Sequence, residues 1–186
     1  MGQQGARYRE QVILVLKDAA TGKVECRYEC DPNIVTNWGD QYYAERGAAQ
    51  TPAITFNVGQ MVVAASFTKA ASVHGKTARF SFFARVHSSY SGRKTFDSGY
   101  PKTADTDTDN TGRTIDAVTY KRTYTTSQAN TMIRAIGVCR RNAVTTSGAA
   151  ASNRLLAYKT LNSAQQVTKT SSQTLVVYVN HTFLGI

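Results

Sequence analysis

The chain has 186 residues, 41% of them hydrophobic, and 22 Lys and Arg against 12 Asp and Glu give a formal net charge of +10. That length suits one domain with its own core, and no apolar run approaches the roughly 20 residues of a membrane-spanning helix. The charge favours an acidic partner, but the cations are scattered, and pairs such as Lys121–Arg122 and Arg140–Arg141 lie apart instead of forming a basic run.

Residues 1–11 are polar and lack the apolar stretch of a signal peptide, and Ala6 stands where myristoylation needs Ser or Thr. They read as an N-terminal arm at 1–10 of a protein made and kept in a cytoplasm. "QVILVLKDAATGKVECRYEC" follows: an apolar run, a turn at Gly22 and a second extended run, which together predict a hairpin. Cys26 and Cys30 fall four residues apart on its second strand, about 13 Å at strand rise, too far for a disulfide. A lone C-x-x-x-C is weak zinc evidence, so these residues and Cys139 read as small buried or half-buried thiols.

Asp31–Pro32 breaks the hairpin. "NIVTNWGDQYYAERGA" then predicts the one helix, of about nine residues. Asn37 is its expected cap, Asp40 lies in the first turn, Gly47 is the C-terminal glycine, and Trp38 and Tyr42 share a face. Everything after it is strand-like: "AITFNVGQMVV", "ARFSFFARVH", "TIDAVTYKRTYT", "MIRAIGVCR" and "RLLAYKTL" are short runs rich in β-branched and aromatic residues. "DSGYPKTADTDTDNTGR" and "NAVTTSGAAASN" separate them as long exposed loops.

The last stretch, "KTSSQTLVVYVNHTFLGI", is apolar on both sides of an extended chain. Leu175, Val177 and Val179 point one way, and Val176, Tyr178 and Thr182 the other. Such a strand needs cover on both faces, either inside a sandwich or against another copy. Leu175, Val177, Tyr178, Phe183 and Leu184 are therefore the candidate interface residues. About eight strands and one short helix predict a mainly β, single-domain fold over 1–186, an antiparallel β-sandwich or jelly roll.

Little in the sequence assembles chemistry. His74, His87 and His181 make no metal or catalytic spacing, and no nucleophile elbow or phosphate loop is present. No catalytic residue and no cofactor is expected. The one cation candidate is the loop "DTDTDNTGRTID", where Asp105, Asp107, Asp109 and Asp116 take positions 1, 3, 5 and 12 of a calcium-loop spacing. Asn110 replaces the turn glycine and Asp116 the bidentate Glu, so a plain acidic loop is the stronger reading. "NHT" at Asn180 matches a glycosylation sequon without a secretory context.

Two stretches carry a resemblance. "NIVTNWGDQYYAERGA" is similar to the N-x-V-T-N-x-G segment and short helix near the start of small β-rich virion structural proteins of tailed bacteriophages. "KTSSQTLVVYVNHTFLGI" resembles their closing turn and strand, and "FDSGYP", "TYTTSQAN" and "RLLAYKTL" fall in order between them. The resemblance runs from Asn33 onward, and its motifs are structural. It implies a non-enzymatic, oligomeric building block of a virion, assembled in the host cytoplasm. Its place would be the tail or fibre-attachment apparatus, or the head exterior as a decoration protein. Its partners would be further copies of itself, as a trimer or higher, and other virion proteins. No membrane is expected, and nucleic acid would bind only weakly and without sequence preference. The rivals of a different class are a basic nucleic-acid-binding module and a calcium-dependent carbohydrate-binding sandwich.

Overall fold

Val12, Leu14 and Leu16 line one face of β1 (Gln11–Asp18), with Ile13 half-buried and Val15 buried on the other, and the chain returns through a turn with Gly22 at φ +70° into β2 (Val24–Cys30). That predicted hairpin is the first unit of the fold. The computed structural model describes residues 11–30, 33–48, 58–67, 75–84, 92–104, 117–140 and 154–182. After the hairpin come β3 (Ile34–Val35), α1 (Asn37–Gly47), β4 (Val58–Ala64), β5 (Ser66–Phe67), β6 (Phe83–Ala84), β7 (Arg93–Thr95) and β8 (Lys102–Ala104). The second half carries β9 (Ala117–Tyr124), β10 (Met132–Ile133), β11 (Ala135–Arg140), β12 (Leu155–Thr160), β13 (Val167–Thr168) and β14 (Gln173–Thr182).

Two five-stranded antiparallel sheets dominate: β2-β1-β14-β9-β8 (sheet one) and β3-β12-β11-β4-β7 (sheet two). They face each other across one core. Sheet one contributes Val12, Leu14, Leu16, Tyr120, Tyr124, Leu175, Val177 and Val179, and sheet two Met61, Val63, Ile136, Val138 and Leu156. The fold is thus the mainly β sandwich that the strand count predicts. The count itself is higher, because β3, β5, β7, β8, β10 and β13 are two- or three-residue strands too short to carry a periodic signal.

The far side of sheet two has a second apolar layer. Val62, Ala64, Ala135, Cys139, Leu155 and Tyr158 meet Ala78, Phe80 and Phe83, with Phe67 stacked 5.1 Å from Tyr158. Here "ARFSFFARVH" departs from its strand reading. Phe80–Phe82 form a 3-10 turn, and among its described residues only Phe83–Ala84 pair as a strand. Three phenylalanines in four residues can serve two sides at once, and burial against the sheet outweighs their β propensity.

The helix forms where expected, with different ends. Thr36, not Asn37, is the N-cap: its hydroxyl accepts from the Gly39 amide at 3.2 Å while donating to the Leu155 carbonyl. Gly47 is the last helical residue, and Ala48 closes the helix without a left-handed turn. Thr36 wins the cap because its own amide is already tied to the Leu156 carbonyl, at 3.0 Å, by the pairing of β3 with β12. Gly39 faces the same strand, and a Cβ there would lie 2.5 Å from Val35 Cγ1 and closer still to the Leu156 carbonyl oxygen. The glycine sits where helix and sheet backbones touch.

Candidate interaction surfaces

The registers lay out the outer face of sheet one in rows. Arg27, Val15, Val176 and Thr123 form one row, and Glu29, Ile13, Tyr178 and Lys121 the next. Val15 and Val176 stand opposite each other and are only 6% and 7% exposed, so this face offers no broad apolar patch. The large hydrophobics exposed among the described residues are Val24 and Met132. Lys121 lies between two aromatic rings, 5.4 Å from the Tyr100 centroid and 5.7 Å from that of Tyr178, and 3.7 Å from Asp97. Its charge is partly shared inside the chain.

The candidate interface residues therefore separate. β14 is the central strand of sheet one, paired with β1 and β9, and Leu175 and Val177 are 0% exposed in the chain's own core. Of the two covers the sequence allowed, a sandwich or another copy, sheet two supplies the first, so Leu175 and Val177 are core residues and not the interface residues they were expected to be. Tyr178 does face outward and is half-buried. Phe183 and Leu184 lie outside the described residues, as do Asp105, Asp107, Asp109 and Asp116 of the acidic loop. Among the described residues, no group of three His, Cys, Asp or Glu could hold a metal ion, and no helix is long and apolar enough to cross a membrane.

Where sheet one meets the helix, four polar side chains form a buried chain. Asn33 Nδ2 lies 2.9 Å from His181 Nε2, His181 Nδ1 bonds the Tyr43 hydroxyl, and that hydroxyl lies 3.0 Å from the Tyr120 hydroxyl. Burial lowers the His181 pKa to about 4 and raises the Tyr120 phenol. His181 is 2% exposed, and the group fastens β14 and β9 to the helix. Lys169, 1% exposed, does similar work, binding Asn130 Oδ1 at 2.6 Å and the Thr170 carbonyl at 3.1 Å. The hydrogen-bond partners of His181 lie 148 and 138 positions away, which no local pattern signals.

Charge is distributed unevenly. Sixteen of the 22 cations but only six of the twelve carboxylates fall in described residues. Asp18, Glu25 and Glu29 are on the first hairpin, Asp40 and Glu45 on the helix, and Asp97 beside β9. Sheet two and the segments around it hold Lys76, Arg79, Arg93, Lys94, Arg134, Arg140, Arg154 and Lys159, with no described carboxylate among their strands. The Arg154 guanidinium lies 3.4 Å from the Trp38 ring centroid, and burial and the nearby Arg140 lower its pKa against the opposing pull of Glu45. The Arg93 guanidinium lies 5.5 Å from the Phe80 ring centroid.

Sheet one has one long edge. β2 pairs with β1, and no described strand adjoins its other side, whereas the opposite edge β8 and both edges of sheet two are two or three residues long. The chain matches no protein-family model, no curated protein and no solved structure.

Proposed function

We propose that this chain is a non-enzymatic structural subunit of a bacteriophage particle, an oligomeric building block of the tail or fibre-attachment apparatus. Decoration of the head exterior is the alternative placement. The observation that carries the self-assembling part is the seven-residue β2 edge, unpaired on its outer side among the described residues. An edge of that length presents backbone donors and acceptors to another strand, the means by which β subunits join by strand addition. The resemblance of the helix segment and closing strand to phage virion proteins supplies the setting. Mass spectrometry of particles purified from cells carrying the gene tests the proposal. The chain should appear in many copies, and intact, infectious particles that lack it would overturn the reading.

A second reading rests on the cations in and around sheet two, whose strands carry no described carboxylate, although Lys76 pairs with Asp40 of the helix at 2.5 Å. We infer a weak, sequence-independent affinity for polyanions, which would seat a basic subunit on an acidic shell or near packaged nucleic acid.

A further inference from the structure

The outer edge of β2, which no described strand covers, carries charges in an order that would discriminate between pairing registers. From Cys26 to Cys30 the ladder with β1 is regular, and it shifts where Val24, not Glu25, pairs with Lys17. In the regular stretch Arg27 and Glu29 point to the outer face, both exposed and bridged at 2.7 Å within the strand, while Cys26, Tyr28 and Cys30 point to the core side.

Two copies of β2 can meet antiparallel about a two-fold axis in few ways. Full overlap of the strand places Arg27 against Arg27 and Glu25 against Glu29, like charges directly opposed. A shift of one residue turns the core-side residues outward. Centring the axis on Cys26 pairs Glu25 with Arg27, but it uses the irregular end of the strand. Centring it on Tyr28 uses only the regular stretch, and it places Arg27 of each copy opposite Glu29 of the other and Cys26 opposite Cys30.

We propose that a second copy of this chain docks on the outer edge of β2, antiparallel and centred on Tyr28, and joins two sheets of type one into a continuous ten-stranded sheet. This deepens the self-assembly reading and rests on it. It names the partner, the strand and the register. An isologous contact of this kind is a two-fold, so higher assemblies would need a further interface. Five residues a side bury far less than the roughly 800 Å² per partner of a standard stable interface, so the contact is weak alone and gains from crowding in an assembly.

The register can be trapped. Cys26 and Cys30 are too far apart along one strand to bond to each other, at about 13 Å. A disulfide joining them must therefore link two copies, and cleavage after Arg27 puts them on separate peptides. Mild oxidation of the full chain at high concentration should give a covalent dimer with the Cys26–Cys30 linkage. By sedimentation, the reversible dimer should be lost in Arg27→Glu and in Glu29→Arg and return in the double exchange, whose opposed pairs are again opposite in charge. Both sites are exposed, and circular dichroism checks that each variant folds. Larger species that ignore the charge changes would overturn this register while leaving self-assembly standing. A monomer at every concentration, with no trapped dimer, would overturn both.

Discussion

Asn33 Nδ2 lies 2.9 Å from His181 Nε2, so a side chain just before the helix meets one near the end of the final strand, 148 residues later. With the amide nitrogen facing the ring, Nε2 must accept, the imidazole proton sits on Nδ1, and Nδ1–H donates to the Tyr43 hydroxyl. Protonating the imidazole would set one donor against another in a site only 2% exposed to solvent.

Stability should therefore depend on pH through His181. Burial holds its folded pKa at about 4, below the ordinary 6.5, so the unfolded chain binds the extra proton first. The contribution is complete above pH 6.5 and is lost as pH falls towards 4, a change on the order of 3 kcal/mol. Urea midpoints measured across that window should fall for the native chain and stay flatter for His181→Gln, which cannot titrate. Equal slopes in both proteins would refute the assignment.

Leu175 and Tyr178 sit three residues apart on β14 and should behave in opposite ways. Leu175→Ala opens a cavity in the core shared by the two sheets and should cost about 2–5 kcal/mol. Tyr178→Ala, on the outer face, should cost under about 1 kcal/mol. Chemical denaturation separates the two, and a large loss at Tyr178 with none at Leu175 would reverse the assignment of faces.

Gly39→Ala should destabilise the chain although alanine favours helices. Its Cβ would collide with Val35 and the Leu156 carbonyl, and moving the helix off β12 should cost about 1–3 kcal/mol, as overpacking does. Gly47→Ala, with open space around its Cβ position, serves as the control and should be neutral or mildly stabilising. Thermal melts of the pair decide it.

The three thiols should react in order of access. Cys139 is buried and its pKa is pushed up to about 12 by burial, while Cys30 is 0% exposed and Cys26 half-buried. Alkylation of the native protein at neutral pH should label Cys26 first and leave Cys139 untouched until the chain unfolds. Peptide mapping of a short labelling time course provides the check.

Binding to duplex DNA should be weak, alike for unrelated sequences, and strongly salt-dependent. Each phosphate neutralised contributes about −0.9 to the slope of log affinity against log salt. Charge reversal at Arg93 and Lys94 should flatten that slope more than reversal at Lys17 and Lys23, which share their hairpin with three carboxylates. Tight, sequence-selective binding at physiological salt would overturn the structural reading in favour of a nucleic-acid-binding module.

The sequence by itself determined what depends on near neighbours. Val12 to Leu16 with Gly22 and the run to Cys30 specify a hairpin, because alternation and a turn residue act within twenty positions. The helix at "NWGDQYYAERG", the longer strands and the apolar character of β14 were legible for the same reason. Only the tertiary structure decided which of those surfaces meet. It turned Leu175 and Val177 into the chain's own core by setting β14 between β1 and β9, and it gave the helix cap to Thr36 through a bond to β12. It also gathered Asn33, Tyr43, Tyr120 and His181 into one buried chain. Backbone pairing and desolvation across more than a hundred residues set these outcomes, and neither leaves a periodic trace in the local sequence.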